Sequence, residues 1–333
     1  MILVTGGTGL VGCHLLFLLV NNNKKVLALK RKSSNLENVK KVFSSYSKNH
    51  KELFNKINWI DGDINDLESL STAFKNINEV YHCAAFISFD KKDLKSMQKI
   101  NIEGTANIIN CALDFKIQKL CYVSTVAAIG LSTSKFTDEN TEWIDSKNPY
   151  AQTKKSAEME VWRGISEGLN AVIVNPGVIV GSGFWKRGSG AFFTQISRGM
   201  NYYPMGKTGF ICVKDVVKIM YELMEKNIFS ERFILVAENW SFKEFFTKVS
   251  LSLNLNPPKK QAGKILMEIA LIYDFIVSKI KGKRRRLNRA SIESSNSSTH
   301  YSNSKISSKI NYNFRKIEKS IEETCLIFKN QFN

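Results

Sequence analysis

The fold class predicted by this 333-residue sequence is a doubly wound α/β fold: a parallel sheet covered by helices on both faces, followed by a smaller, mostly helical lobe. Three observations carry the prediction. Short apolar runs alternate with helical stretches through the first half, the rhythm of right-handed β-α-β crossovers. The chain opens on an apolar run that passes directly into a cluster of glycines and then into a long apolar stretch. After Pro176 the alternation stops and helical patterns take over.

Ile2 to Val4 is too short for a helix and reads as a buried strand; Leu10 to Val20 reads as the helix after it. Between them the spacing is Gly6-x-x-Gly9-x-x-Gly12. Strand, glycine turn and helix together make a pyrophosphate site. Residues without a Cβ let the backbone approach, and the free N–H groups of the helix start face the negative charge. Thr8, Leu10 and Val11 complete that cradle. The spacing differs from the commoner G-x-G-x-x-G.

Val26 to Leu29 is the second strand, and a polar helix is predicted over Leu36 to Phe54. Ile57 to Ile60 is the third strand, Leu67 to Phe74 a short helix, and Val80 to Ala85 the fourth strand. A long helix over Leu94 to Phe115 precedes the fifth strand, Leu120 to Ser124. Tyr150 to Gly168 is a helix and Ala171 to Val174 the sixth strand. Ligands of such sheets gather at the carboxyl ends of the strands. Beyond Pro176, Gly181 to Gly209 reads as loop and short helices, Val213 to Met224 as a helix and Arg232 to Val236 as a strand. The expected division is a dinucleotide-binding domain over 1–176, with 211–236 returning to it, and a substrate lobe from 177–210 and 237–333. Ser291 to Ser308 has the composition of a linker, and patterned sequence resumes at Phe314 to Phe328.

An apolar share of 43% is that of a globular enzyme. The net charge of +18 concentrates in Lys24 to Lys56 and Lys259 to Arg289. Such a balance raises nucleic acid as a partner. Aromatics are not interleaved with the basic runs, so a solvated surface and an anionic cofactor are expected instead, with no nucleic acid. The six cysteines (Cys13, Cys83, Cys111, Cys121, Cys212, Cys325) form no C-x-x-C pair and sit mostly in apolar patterns. Free thiols in a reducing cytoplasm follow. The four histidines lack metal-ligand spacing, so no metal is expected. The first apolar segment is already the phosphate-binding unit, so no leader is expected.

Ile265 to Ile280 is apolar but only 16 residues long, with Glu268 and Asp274 inside it, against the ~20 apolar residues a bilayer span needs. Lys281, Lys283 and Arg284 to Arg286 follow. Packing over the active-site cleft is the expectation; peripheral contact of 265–289 with an anionic membrane is the other reading.

The chemistry centres on Tyr150-Ala-Gln-Thr-Lys154, a phenol and an ammonium four residues apart on one helix face. Hydride transfer to or from a carbonyl needs a proton donor or acceptor, and a nearby cation favours the phenolate. The same spacing recurs at Tyr203, Tyr301 and Tyr312, but only Tyr150 opens a helix after the fifth strand. Tyr122-Val-Ser-Thr125 ends that strand with hydroxyls able to hold the reacting oxygen.

These motifs together resemble the extended short-chain dehydrogenases/reductases, the NAD-dependent epimerase/dehydratase superfamily with its Rossmann fold. TGGTGLVG resembles the family's T-G-x-x-G-x-x-G loop. Gly62-Asp63-Ile64 resembles the segment that holds the adenine. His82-Cys-Ala84-Ala85 resembles the turn beside the cofactor, and Asn101 to Asn107 the N-x-x-G-T-x-N helix. Asn175-Pro176-Gly177, followed by Val178, resembles the R-P-G segment under the nicotinamide, with asparagine in place of arginine. Phe210 to Asp215 resembles the V-x-D element. The resemblance implies Thr125 as the catalytic hydroxyl with Ser124 a close second, Tyr150 as acid or base, and Lys154 as the residue that binds ribose and lowers the Tyr150 pKa. It also makes a homodimer the assembly to look for.

Lys207 to Asp215 and Tyr301-Ser-Asn-Ser-Lys305 look like the dihydroflavonol reductase/3β-hydroxysteroid dehydrogenase-like branch. Candidate walls of an apolar substrate pocket are Phe86, Phe89, Phe184, Trp185, Phe192, Phe193 and Tyr203, with Thr125 at its floor. The second strand ends in Lys30, Arg31, Lys32 and Ser33, with no acid until Glu37. A carboxylate for the ribose hydroxyls is missing and Arg31 can pair with a 2′-phosphate, so NADP is expected over NAD. The sequence therefore predicts a cytoplasmic NAD(P)-dependent oxidoreductase acting on a ketone or secondary alcohol of a small apolar substrate. A nucleotide-sugar epimerase or dehydratase that retains NAD is the alternative. A dinucleotide-sensing or membrane-associated binding protein without turnover is the reading from outside catalysis, and the set Thr125, Tyr150 and Lys154 argues against it.

Overall fold

The computed structural model describes residues 1–130, 136–143, 146, 148–280 and 288–332. Twelve strands are formed among them. In chain order, β1 is Ile2–Thr5, β2 Val26–Lys30, β3 Ile57–Asp61, β4 Glu79–His82, β5 Lys119–Val123 and β6 Ala171–Pro176. Next come β7 Val178–Val180, β8 Tyr202–Tyr203, β9 Lys207–Cys212, β10 Glu231–Leu235, β11 Glu238–Ser241 and β12 Lys260–Gln261.

The main sheet has the order β10-β6-β5-β4-β1-β2-β3, with every pairing parallel. Side chains alternate across it. Val4, Tyr81, Cys121, Val172 and Val174 join one core, with Leu15, Leu16 and Leu19 of the helix Leu10–Asn21 and Val217 and Met220 of Val213–Glu225. Leu3, Val80, Leu120, Tyr122, Ala171 and Ile173 face the other, with Ile108 of Gly104–Asp114 and Val161 of Pro149–Ser166. A sheet buried on both faces needs apolar residues at consecutive positions, which is why its strands read as unbroken apolar runs. The chain leaves β1 toward β2 and β3, then crosses back to β4 on the other side. That reversal, where Thr5 pairs with His82, opens a crevice at the carboxyl edge.

A second core lies beyond β6. Strand β9 pairs parallel with β7 and antiparallel with β11. Over this sheet pack Phe242, Phe245 and Val249 of the helix Phe242–Ser252, and Ile317, Ile321, Cys325 and Phe328 of Ile317–Phe332. The spacing of the last four, 317-321-325-328, is one helix face.

Four expectations are corrected. The helix predicted over Leu36 to Phe54 is two, Glu37–Tyr46 and His50–Asn55. Between them the Ser47 hydroxyl accepts from the Asn49 amide at 3.1 Å, a local bond that competes with helix continuation. The stretch expected as loop and short helices between Gly181 and Gly209 also contains β8 and the first half of β9. There a Cβ on Gly209 would stand 2.4 Å from Val236, so the strand needs glycine. The Ser- and Asn-rich stretch Ser291 to Ser308 is not a linker but holds the end of one helix, Arg289–Asn296, and most of another, Ser304–Ile310. Polar residues in and beside it are partly spent on caps: Asn288 and Ser291 close a capping box, and Asn311 ends the second helix in the left-handed conformation.

The fourth correction concerns the helix Lys264–Ile280, which buries Leu271 but leaves Ile269, Ile272, Tyr273 and Ile280 exposed instead of covering them. The basic cluster Lys281 to Arg286 lies outside the described residues. Among the described residues no helix is long and apolar enough to cross a membrane.

Candidate functional site

The glycine turn is built by close approach. Gly6 sits at φ +69°, and a Cβ there would stand 2.5 Å from the Ala84 amide nitrogen, so the turn rests on the chain leaving β4. A Cβ on Gly12 would stand 2.2 Å from the Gly6 carbonyl. The helix therefore starts hard against the turn. Its N-cap, Gly9, carries no side chain to satisfy the first amides, and its first turn has no acidic residue. Cys13 is the first helix amide to reach a carbonyl, Gly9 O at 3.0 Å. The amides of Leu10, Val11 and Gly12 belong to the first turn, at the positive end of the helix, a cradle suited to a diphosphate. Arg187 adds a cation that no sequence pattern places here. Its exposed guanidinium is 3.5 Å from Thr8 O and 5.2 Å above the Phe184 ring.

At the end of β2, Lys30 forms an ion pair with Asp61 at the end of β3, so its charge is already matched. Arg31 is exposed. Glu37, the first acid after the glycines, pairs with Lys40 at 2.9 Å. Along the next strand end, Asp63 Oδ1 accepts from the Asn65 amide at 3.0 Å, and Ile64 O accepts from Asn107 Nδ2 at 3.0 Å.

The exit of β4 is held by a buried polar chain. The His82 ring nitrogens lie 2.7 Å from Thr5 Oγ1 and 3.0 Å from Thr105 Oγ1. Burial pushes this imidazole down to about 3, with Lys154 adding to the effect, so it is neutral. Ala84 and Ala85 follow, and Phe86 is clamped at both backbone groups by Asn101. The Phe86 amide donates to Asn101 Oδ1 at 2.7 Å, and Asn101 Nδ2 donates to Phe86 O at 3.0 Å and to Thr153 Oγ1 at 3.1 Å. Expected as a cofactor ligand, Asn101 has both side-chain polar atoms engaged by protein, which makes it a positioning residue. It sits in a π turn, Gln98–Glu103, that interrupts the predicted long helix.

The catalytic candidates converge at the end of β5. Asn148 caps the next helix by accepting from the Tyr150 amide at 3.0 Å, and Pro149 occupies its first turn. That start places Tyr150 and Lys154 one above the other. Burial pushes the Tyr150 phenol up to about 12, against a hydrogen bond with the Thr125 hydroxyl that pulls it down. Lys154 is buried, and Nζ donates to Tyr122 OH at 2.5 Å and Val123 O at 2.8 Å. The expectation that Lys154 lowers the Tyr150 pKa is not met: the ammonium is turned to the β5 backbone and Tyr122.

Ser124 Oγ donates to Glu158 Oε2 at 2.7 Å, as does Asn175 Nδ2 at 2.9 Å, while Arg232 Nη1 lies 3.1 Å from Oε1. Asn175 Nδ2 also donates to Thr125 O at 3.1 Å. Glu158 was missed in the sequence, although its place four residues after Lys154 puts it on the same buried face; Arg232, 74 residues away, left no signal. Pro176 and Val178 follow in β6 and β7, Pro176 opposite Leu235 and Val178 opposite Phe210.

Of the expected pocket walls, Phe89 lies 6.3 Å ring to ring from Tyr150, and Phe86 is half-buried at the clamped turn. Phe184, Trp185 and Phe192 are corrected to core residues. Phe184 belongs to the main core. Trp185 packs on Phe193 and Phe328 and donates to Gln331 Oε1 at 2.7 Å. Phe192 is surrounded by Phe242, Phe245 and Phe246. Tyr203 is covered by Lys243.

Burial lowers the Lys154 ammonium to about 7, with Glu158 and Cys83 raising it in part. Between about pH 7 and 10.5 the unfolded chain keeps a proton that the native state has released. Stability from this group therefore rises with pH through that window. Urea midpoints should show wild type gaining on Lys154→Met as the pH is raised across it.

A Synechocystis protein with a provisional dihydroflavonol 4-reductase name is 31% identical over 265 residues, covering 77% of this chain and 73% of that one. Sterol demethylase protein B of Methylococcus capsulatus is 25% identical over 279 residues, covering 82% and 80%. The crystal structure of gox2253 superposes with a TM-score of 0.81 at 26% identity, covering 99% and 98%. The family model for NAD dependent epimerases/dehydratases matches residues 2–236, from β1 to just past β10, and the chain belongs to that family.

Proposed function

We propose that this protein is an NADP-dependent reductase or dehydrogenase that interconverts a ketone and a secondary alcohol on a largely apolar small molecule. The observation that carries the reading is the meeting of the Tyr150 and Thr125 hydroxyls at the carboxyl end of β5, on the same sheet edge as the uncapped glycine turn. The dinucleotide, when bound, supplies or accepts the hydride. Tyr150 gives its proton to the carbonyl oxygen in reduction and takes one from the alcohol in oxidation. Thr125 holds the same oxygen. A phenol raised to about 12 is protonated at neutral pH, which suits the donor role in the reductive direction. Lys154 and the turn at Ala84–Ala85 are assigned to the ribose and nicotinamide, and Arg187 with the amides of Leu10 to Gly12 to the diphosphate. The second lobe is assigned to the substrate. The apolar character of the substrate rests on Phe89 near Tyr150, on Phe86 at the turn held by Asn101, and on the sterol in the name of one relative.

The NADP assignment rests on Arg31, which is exposed at the end of β2 and forms no ion pair among the described residues, Asp61 being paired with Lys30. Thermal-shift titrations with NADPH and NADH in parallel test it. NADPH should give the larger shift, and Arg31→Asp should reverse the order. Equal shifts, or NAD already retained on purification, would favour a nucleotide-sugar epimerase or dehydratase and turn the substrate screen to nucleotide sugars.

A further inference from the structure

The helix Lys264–Ile280 is inverted relative to an ordinary surface helix. At 100° per residue, Ile269, Ile272, Tyr273 and Ile280 share an arc of about 100°. They are 57%, 59%, 68% and 78% exposed. Leu271, on the opposite side, is 6% exposed, and Met267 Sδ accepts from Asn296 Nδ2 at 3.0 Å. The helix is thus fixed to the lobe by one side and turns an apolar stripe outward, an arrangement that marks an interaction surface.

Cations flank the stripe. Lys259 and Lys260 are exposed just before the helix, and Arg289 after it is also exposed, 3.8 Å from Glu268. The sequence holds five further cations over 281–286, outside the described residues. We propose that this face docks on an anionic membrane surface, with the isoleucines in the acyl boundary, Tyr273 at headgroup level and the cations on lipid phosphates and carboxylates. Charge decides between occupants. A second copy of this +18 chain would set these cations against their own kind, whereas an anionic bilayer complements them. The helix is too short to cross, so it lies in the surface plane.

The test is flotation of the full chain with phosphatidylcholine vesicles and with vesicles containing about one-third phosphatidylserine. Wild type should float with the anionic vesicles, and much less with the neutral ones or at high salt. Ile269→Gln with Ile272→Gln should lose about tenfold or more of that partitioning while keeping the wild-type thermal shift with dinucleotide, which reports an intact fold. Wild type that stays down with anionic vesicles, or a double variant that floats as wild type does, overturns the proposal. So does a dimer in sedimentation equilibrium that the double variant splits, since a second copy would then be the occupant.

Discussion

Tyr150→Phe should lower turnover of any ketone the wild type reduces by roughly 10²–10⁴-fold, while thermal stabilisation by dinucleotide stays as in wild type. The substitution removes one oxygen and leaves the ring. Packing beside Phe89 is kept, as is the helix start set by Asn148 and Pro149, so a loss of rate reports the proton and not the fold. Single-turnover reduction, following the dinucleotide absorbance after mixing with an identified ketone, is the direct measurement. Turnover unchanged in Tyr150→Phe would remove the phenol from the mechanism.

The largest loss of stability is expected from Arg232→Met. Glu158 has a fully buried side chain that accepts from Ser124 and Asn175, and Arg232 is its cation. Removing one partner of a buried pair leaves a poorly solvated charge without the cation bonded to it, at a cost of about 3–5 kcal/mol. An exposed pair such as Lys40–Glu37 is worth at most about 1 kcal/mol. Urea melts should show the difference plainly. Glu158→Gln introduced into the Arg232→Met background should recover much of the loss, because a neutral amide can still bond Ser124 and needs no cation. The guanidinium also donates to Glu139 O at 2.9 Å, so part of the loss should remain.

The two predictions differ in how far the sequence foreshadowed them. Tyr150 was legible because its signal is local: it stands four residues before Lys154, in the first turn of the helix that follows β5 in the chain. The glycine turn was legible for the same reason, and the central strands because burial on both faces leaves an unbroken apolar run. The Glu158–Arg232 pair and the approach of Arg187 to Thr8 join residues 74 and 179 positions apart, and no periodicity encodes such meetings. The aromatic walls failed for another reason. Phe184, Trp185 and Phe192 look the same in sequence whether they line a pocket or fill a core, and only the packing decides: the main core takes Phe184, the second core around β9 the other two. Composition misled at Ser291 to Ser308, where serine and asparagine partly serve helix ends.

The last forty residues fasten the sheet that the first residues begin. Asn303 Nδ2 reaches Val236 O at 2.7 Å, Lys305 Nζ reaches Arg232 O at 3.0 Å, and Lys305 and Lys309 both pair with Glu231. Tyr312 and the Arg315 amide hold Asp215, and Ile306 and Ile310 enter the main core. During synthesis, strands β1 to β6 leave the ribosome well before these residues exist. The outer strand β10 and the helix before it therefore wait for the end of the chain to lock them. The nascent protein passes through a stage in which most of the sheet is made while its β10 edge lacks these fastenings, and that edge is the part a chaperone would have to guard.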